Sequence, residues 1–253
     1  MEPRFGRLYA NAVLLPLAEQ VVGVVGVQPG EAACDLICDG ATMGSALGSA
    51  VGSRGTVMLI DTDPGLLQAV QRDVAETGCA VSTRVAIGAV HSLADSSFDR
   101  VASLCTLAFW EGTVMYDVAE RVTRPTGCAA IVTWDVARPP LHEVALIDAL
   151  RDVNGIRSRF LERCLATTEP APAAKWERLT LHDVVRFDGI GGYWAAMVGS
   201  RPVAAELAEQ PDKVLTAVRS ACQRALEPCT AADGTMRIPV RATLYRLRSE
   251  MRA

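Results

Sequence analysis

Two short stretches of this 253-residue chain hold side chains of the kind that perform proton chemistry. In CDGATM, residues 38–43, Asp39 follows an apolar run and precedes Thr42 and Ser45. A carboxylate placed there can take a proton or hold an ammonium group, and it can equally do no more than cap the helix that begins beside it. Thr42 and Ser45 open that helix; they can donate to an anion alongside free N-terminal amides, or simply finish the cap. In FWEG, residues 109–112, Glu111 is the second acid. Two carboxylates at neighbouring strand ends can share a site, raise one pKa and so supply both an acid and a base. The plain alternative for Glu111 is a solvated loop glutamate.

Other reactive types are spread too thinly to make a constellation. His91, His142 and His182 stand far apart in sequence, and only His91, in a loop, offers itself as a base. The eight cysteines include no C-x-x-C pair and read as small buried residues of a reducing compartment, so no metal site is expected. Neither a G-x-S-x-G elbow nor a phosphate loop occurs, which leaves hydrolase and kinase readings without support.

The elements that must position Asp39 and Glu111 follow from hydrophobic spacing. Apolar residues recur at helical intervals over residues 9–25, and VQPG ends that helix. Short apolar runs then appear at 33–38, 56–60, 80–87, 100–106 and 128–133, separated by helix-length segments at 42–51, 64–75, 113–122 and 141–153. Strands apolar on both faces, alternating with helices, predict a doubly wound α/β fold with a parallel sheet covered on both sides. Beyond them the chain reads as helix over 141–164, loop at 171–174, strand over 176–187, the segment GIGGYW within 188–200, helix over 213–226 and a last strand over 237–248.

Half of the residues are hydrophobic, only 5% are aromatic, and the net charge is −4. Without a concentrated positive footprint, neither nucleic acid nor an anionic membrane is an expected partner. The first residues lack a signal-peptide pattern, and no apolar run reaches the ~18 residues of a membrane span, so a cytoplasmic location is expected.

Six segments, in order, resemble the class I S-adenosylmethionine (SAM)-dependent methyltransferases, in particular the small-molecule type related to the ubiquinone and menaquinone C-methyltransferases. They are residues 33–52, 55–70, 96–112, 127–135, 184–199 and 233–248. The resemblance implies a mostly parallel seven-stranded Rossmann-like sheet with one antiparallel strand, in one domain spanning 1–253. Its parts would be a helical lid (1–30), a cofactor-type half (31–135) and a substrate-capping half with the closing strand (136–253). It also assigns positions: Asp35 as the acid that leads the glycine loop, Gly40 within that loop, Asp61 as the ribose-binding acid, and Glu111 in the region facing acceptor and transferred methyl. Phe109, Trp110, Tyr193 and Trp194 would wall the substrate pocket.

The departures fall in the loop itself. Where the family carries acid-x-G-x-G-x-G, this chain has Asp35, Ile37, Asp39 and Ala41, so all three glycines are gone. The acid that meets the adenine amine is replaced by Ala89. Ile37 and Asp39 are expected to crowd the donor's amino-acid end, and a carboxylate ~4 Å from its carboxylate would cost roughly 1 to 4 kcal/mol. The favoured expectation is therefore a methyltransferase-fold enzyme of natural-product biosynthesis that needs no cofactor. Asp39 and Glu111 would carry acid/base-assisted cyclisation or elimination on a small biosynthetic intermediate. The chain resembles in this respect the aziridine-forming enzymes of azinomycin-type pathways, in which a sulfate-like group leaves as an amine closes the ring. The alternatives are a conventional SAM-dependent small-molecule methyltransferase, supported by Asp61, and a non-catalytic subunit paired with a related partner or with itself.

Overall fold

The computed structural model describes residues 6–38, 40–86, 93–105, 114–135, 137–159, 161–162 and 175–247. Seven strands form one sheet: β1 (Ala32–Leu36), β2 (Thr56–Asp61), β3 (Ala80–Val85), β4 (Phe98–Leu104), β5 (Thr123–Trp134), β6 (Trp176–Phe187) and β7 (Met236–Leu247). Their order is β3-β2-β1-β4-β5-β7-β6. Pairings among β1 to β5 are parallel, while β7 runs antiparallel to both β5 and β6. The mostly parallel sheet with one antiparallel strand is thus the observed architecture, and the strand order reverses between β1 and β4.

The helices are α1 (Arg7–Val25), α2 (Thr42–Val51), α3 (Pro64–Ala75), α4 (Val114–Val122), α5 (Leu141–Asn154), α6 (Gly189–Val198), α7 (Arg201–Leu207) and α8 (Asp212–Leu226). Local chemistry explains their ends. Asp63 caps α3 by accepting the amides of Gly65 and Leu66 at 2.8 and 3.2 Å, and Pro64 follows at the first helical position. At the end of α5, Gly155 takes φ +63° and the amide of Ile156 returns to the Leu150 carbonyl. That cap stops the helix at Asn154, one residue past the 141–153 segment read from apolar spacing and short of the longer reading to 164. The short α7 was not anticipated either.

Two apolar clusters cover the two faces of the sheet. One gathers α1, α2, α3, α5, α6 and α8; the other centres on α4 and the opposite faces of β1, β4 and β5. By length and composition alone α1 would also suit a membrane span, contrary to the reading of its sequence. Here its Leu17, Ala18, Val21 and Val25 are buried in the first cluster. Its second turn, Ala10–Leu14, is a π segment, a form concentrated at functional positions.

Candidate functional site

In open α/β sheets, ligands bind outside the carboxyl ends of the strands, where the strand order reverses. Here that point lies between β1 and β4, and the residue just past each strand is strained. Ile37 has φ +68° and Cys105 has φ +56°. A left-handed conformation costs a residue with a Cβ roughly 1–2 kcal/mol, and for a β-branched side chain it is a true outlier. Such strain persists only where the surroundings enforce it, and it concentrates at functional sites.

The turn at Ile37 also redirects its side chain. Along β1 the side chains alternate, with Ala33 in the first cluster and Cys34 and Leu36 in the second. The left-handed residue breaks the alternation, so Ile37 follows Leu36 into the second cluster, 2% exposed among Ile60, Phe98 and Met115. Ile37 also lines a cavity beside the loop, so it borders the space that it was expected to crowd. The backbone makes the glycine turn, and the side chain packs with the second cluster.

Beside this turn lies a cavity of about 620 Å³, within the range that holds small ligands. Gly6, Arg7, Ala10 and Asn11 of the α1 segment lie on one side, the loop and first turn of α2 on the other. Of the residues singled out from sequence, Asp35, Gly40, Thr42 and Ser45 line it, together with Ile37 and Ala41. Asp35 is fully buried, its Oδ2 only 3.4 Å from where a Cβ on Gly44 would stand. Ala41 stands at the N-cap of α2, and among the described residues no side chain caps its first amides. Arg7, Asn11, Asp73 and Glu76 also line the cavity and were not read from the sequence. Arg7 and Asn11 look there like ordinary polar positions of an amphipathic helix, with no local signal to set them apart.

Other expected site residues lie elsewhere. Asp61 is buried at the end of β2, where its Oδ1 accepts the Asp63 amide at 3.0 Å and turns the chain into α3; it does not line the cavity. Tyr193 is no wall residue, because its ring is fully buried edge-on to Phe187 and its hydroxyl donates to the His142 carbonyl at 2.8 Å. Trp194 packs half-buried against the first cluster, also away from the cavity. Asp39, Ala89, His91, Phe109, Trp110 and Glu111 lie outside the described residues.

A second polar group was missed altogether. Tyr9, on α1 between two cavity-lining pairs, donates its hydroxyl to Glu143 Oε1. Glu143 and His142, at the start of α5, are both fully buried. Burial raises the Glu143 carboxyl to about 7, although the Tyr9 hydroxyl and the Trp134 indole pull it down, and burial lowers His142 to about 3. The rings of Tyr9, Trp134 and Phe187 surround the imidazole at centroid distances of 5.9, 6.0 and 6.2 Å. His142 reads as an isolated histidine in sequence, and only tertiary packing brings Tyr9 to its neighbour.

No family model matches the chain. It is 30% identical over 128 residues to uncharacterized proteins of Mycobacterium tuberculosis and Mycobacterium bovis, a match covering 50% of this chain and 46% of theirs. The chain therefore spans about half the length of the curated relatives it matches. Among solved structures it superposes on a protein assigned as a methyltransferase from an antibiotic biosynthesis pathway of Anabaena variabilis, with TM-score 0.57 and 12% identity, covering 90% of this chain and 96% of that one. It likewise superposes on a protein assigned as a type II methyltransferase of Anaeromyxobacter dehalogenans, with TM-score 0.54 and 16% identity over 98% of both chains. At such identities the likeness speaks to architecture, and together with the strand order it establishes the fold: an α/β, Rossmann-like methyltransferase fold.

Proposed function

We propose that the chain is a SAM-dependent methyltransferase of a small-molecule acceptor, with the cavity beside β1 holding the donor's amino-acid end. The observation that carries this reading is the left-handed Ile37, φ +68°, by which the loop keeps a glycine's turn after losing the glycine. Three further features fit the donor. The first amides of α2, which no described side chain caps, suit a carboxylate, as helix N-termini generally do. The buried Asp35 suits an ammonium group. The described charged residues lining the cavity are three acids, Asp35, Asp73 and Glu76, against the single base Arg7, a balance that favours a ligand of net positive charge.

When bound, the donor supplies an electrophilic methyl group on a sulfonium. The chain's own residues bind and orient. Asp35 and the first turn of α2 fix the amino-acid end, and the α1 segment from Gly6 to Leu15 covers the cavity and excludes water. Asp39, beside Gly40 in sequence, and Glu111 are assigned to the acceptor side, where a carboxylate can hold or take a proton. Calorimetric titration with SAM tests the reading, and saturable micromolar binding is expected. Absence of binding up to millimolar SAM would overturn it in favour of cofactor-free cyclisation or elimination through Asp39 and Glu111.

A further inference from the structure

A second cavity, of about 580 Å³, lies against the β6–β7 pair and shares no lining residue with the cavity beside β1. Arg138 and Leu141 reach it from the turn into α5, His182 and Val184 from β6, and Pro239 and Arg241 from β7. Val184 and Leu141 are 42% and 37% exposed, two of the four exposed large hydrophobic side chains among the described residues. Solvated apolar surface gathered beside cations suits a ligand that has both characters. Asp135, which meets Arg241 at 3.4 Å, also builds the turn that presents Arg138: its carboxylate accepts the Ala137 amide and its carbonyl the Arg138 amide, both at 3.0 Å.

Antiparallel register decides which side chains share this face. His182 stands opposite Arg241, Val184 opposite Pro239 and Arg186 opposite Arg237, all on the side away from the first cluster, where Leu181, Val185 and Ile238 pack. Farther along the same face the Arg178 guanidinium donates to Thr243 Oγ1 at 3.3 Å. At these alternate positions, from Arg178 to Arg186 and from Arg237 to Tyr245, neither strand carries an acid. Like charges directly opposite one another weaken a sheet, so Arg186 against Arg237 is a cost, eased by the exposed Asp233 in the turn before β7. Within the cavity the described lining carries two arginines against one acid, Asp183. Both oxygens of that acid are engaged, one by the Gln20 amide at 2.8 Å and one by the Val184 backbone amide at 2.7 Å. A chain of net charge −4 thus gathers a local surplus of positive charge from residues that are dispersed in sequence.

We propose that this cavity is a second ligand site, for a small carboxylate with an apolar body: the head lies among Arg138, Arg241 and His182, and the body on Val184, Leu141 and Pro239. A surplus of one positive charge in the lining calls for a single negative charge, which a carboxylate supplies. The test is calorimetric titration of the full chain with octanoate, with 1-octanol, which lacks the charge, and with acetate, which lacks the body. Saturable octanoate binding at least about tenfold tighter than either is expected, and saturating SAM should leave it unchanged. Arg138→Gln should weaken octanoate about tenfold, the loss of one hydrogen bond to a charged group, and Val184→Glu should weaken it further by setting a like charge beside the head. Arg186→Gln, on the same face but outside the lining, should shift it less than about threefold. All three residues are exposed, so urea midpoints should match the parent chain. Equal binding of octanoate and acetate, or equal losses in Arg138→Gln and Arg186→Gln, would reduce the site to diffuse surface charge and overturn the proposal. Equal binding of octanoate and 1-octanol, no saturable octanoate binding, or displacement of octanoate by SAM would overturn it as well. Octanoate binding in a chain that does not bind SAM would defeat the donor reading alone, because the two cavities are separate.

Discussion

Replacing Ile37 in turn by alanine and by glycine isolates the backbone strain on which the donor reading depends. Both changes remove the same buried side chain from the second cluster, and truncating a buried isoleucine to alanine costs about 2–5 kcal/mol. They differ in what they ask of the backbone. In a strand or helix, glycine is worse than alanine by roughly 0.5–1 kcal/mol because it loses more conformational freedom on folding. At φ +68° alanine pays about 1–2 kcal/mol that glycine does not. The second effect wins, so Ile37→Gly should be more stable than Ile37→Ala by about 0.5–1 kcal/mol, reversing the usual order. Both should fall below the parent chain, because relief of strain does not recover the lost packing. Urea unfolding of the three proteins at matched slopes measures the differences. SAM affinity should change less than threefold in either variant, since the backbone forms the turn and the side chain packs with the second cluster. If Ile37→Ala proved the more stable, the left-handed turn would not be a strained feature of the folded protein. A tenfold loss of donor affinity in both variants would place the side chain in the site.

Three further outcomes are expected. Gly44→Ala would place a Cβ 2.7 Å from Leu59 Cδ2 and 3.0 Å from Val74 Cγ2, so it should cost about 1–3 kcal/mol of stability by overpacking, read from the urea midpoint. Asp35→Asn removes the buried charge assigned to the donor's ammonium group and should weaken SAM about 10- to 100-fold by calorimetry, the range for a hydrogen bond to a charged group; an unchanged affinity would remove Asp35 from the site. The stability profile with pH should reflect Glu143 and His142, which face Tyr9, Trp134 and Phe187, with Tyr193 and Cys222 the titratable groups behind. Glu143, raised to about 7, contributes stability that is complete below its ordinary 4.5 and lost as pH rises through about 7; His142, lowered to about 3, contributes stability complete above its ordinary 6.5 and lost as pH falls through about 3. Their slopes oppose each other between 4.5 and 6.5, each worth about 3 kcal/mol over those two pH units. Stability in urea should therefore rise with pH over this range in Glu143→Gln and fall in His142→Phe. Profiles parallel to the parent's in both variants would show that neither group titrates as its burial requires.

Much of the architecture could be read from the chain because it depends on signals between near neighbours. The intervals 42–51 and 64–75 predicted from apolar spacing are the observed α2 and α3, and 176–187 is the observed β6. Apolar runs between helices set the parallel sheet, and Asp63 with Pro64 marks the start of α3 within two residues. The end of α5 was read both at 153 and at 164, and Gly155 decides for the former through the left-handed conformation it adopts. The loop after β1 was legible in composition but not in consequence. Three missing glycines were correctly seen as a departure, while the direction of the Ile37 side chain depends on a torsion angle that no residue pattern states.

By itself, then, the sequence determined the layered α/β scaffold and the placing of Asp35, Gly40, Thr42 and Ser45 about the first strand-to-helix turn, because periodicity and short-range capping are written in consecutive residues. Tertiary structure alone decided that Ile37 packs with the second cluster, that Asp61 accepts the Asp63 amide and Tyr193 is buried in the core, and that Tyr9 meets Glu143 across 134 residues of sequence. Those outcomes come from packing between distant elements. Burial and partners there reset the conformation and proton affinity of each group, and neither is fixed until the sheet and its covering helices come together.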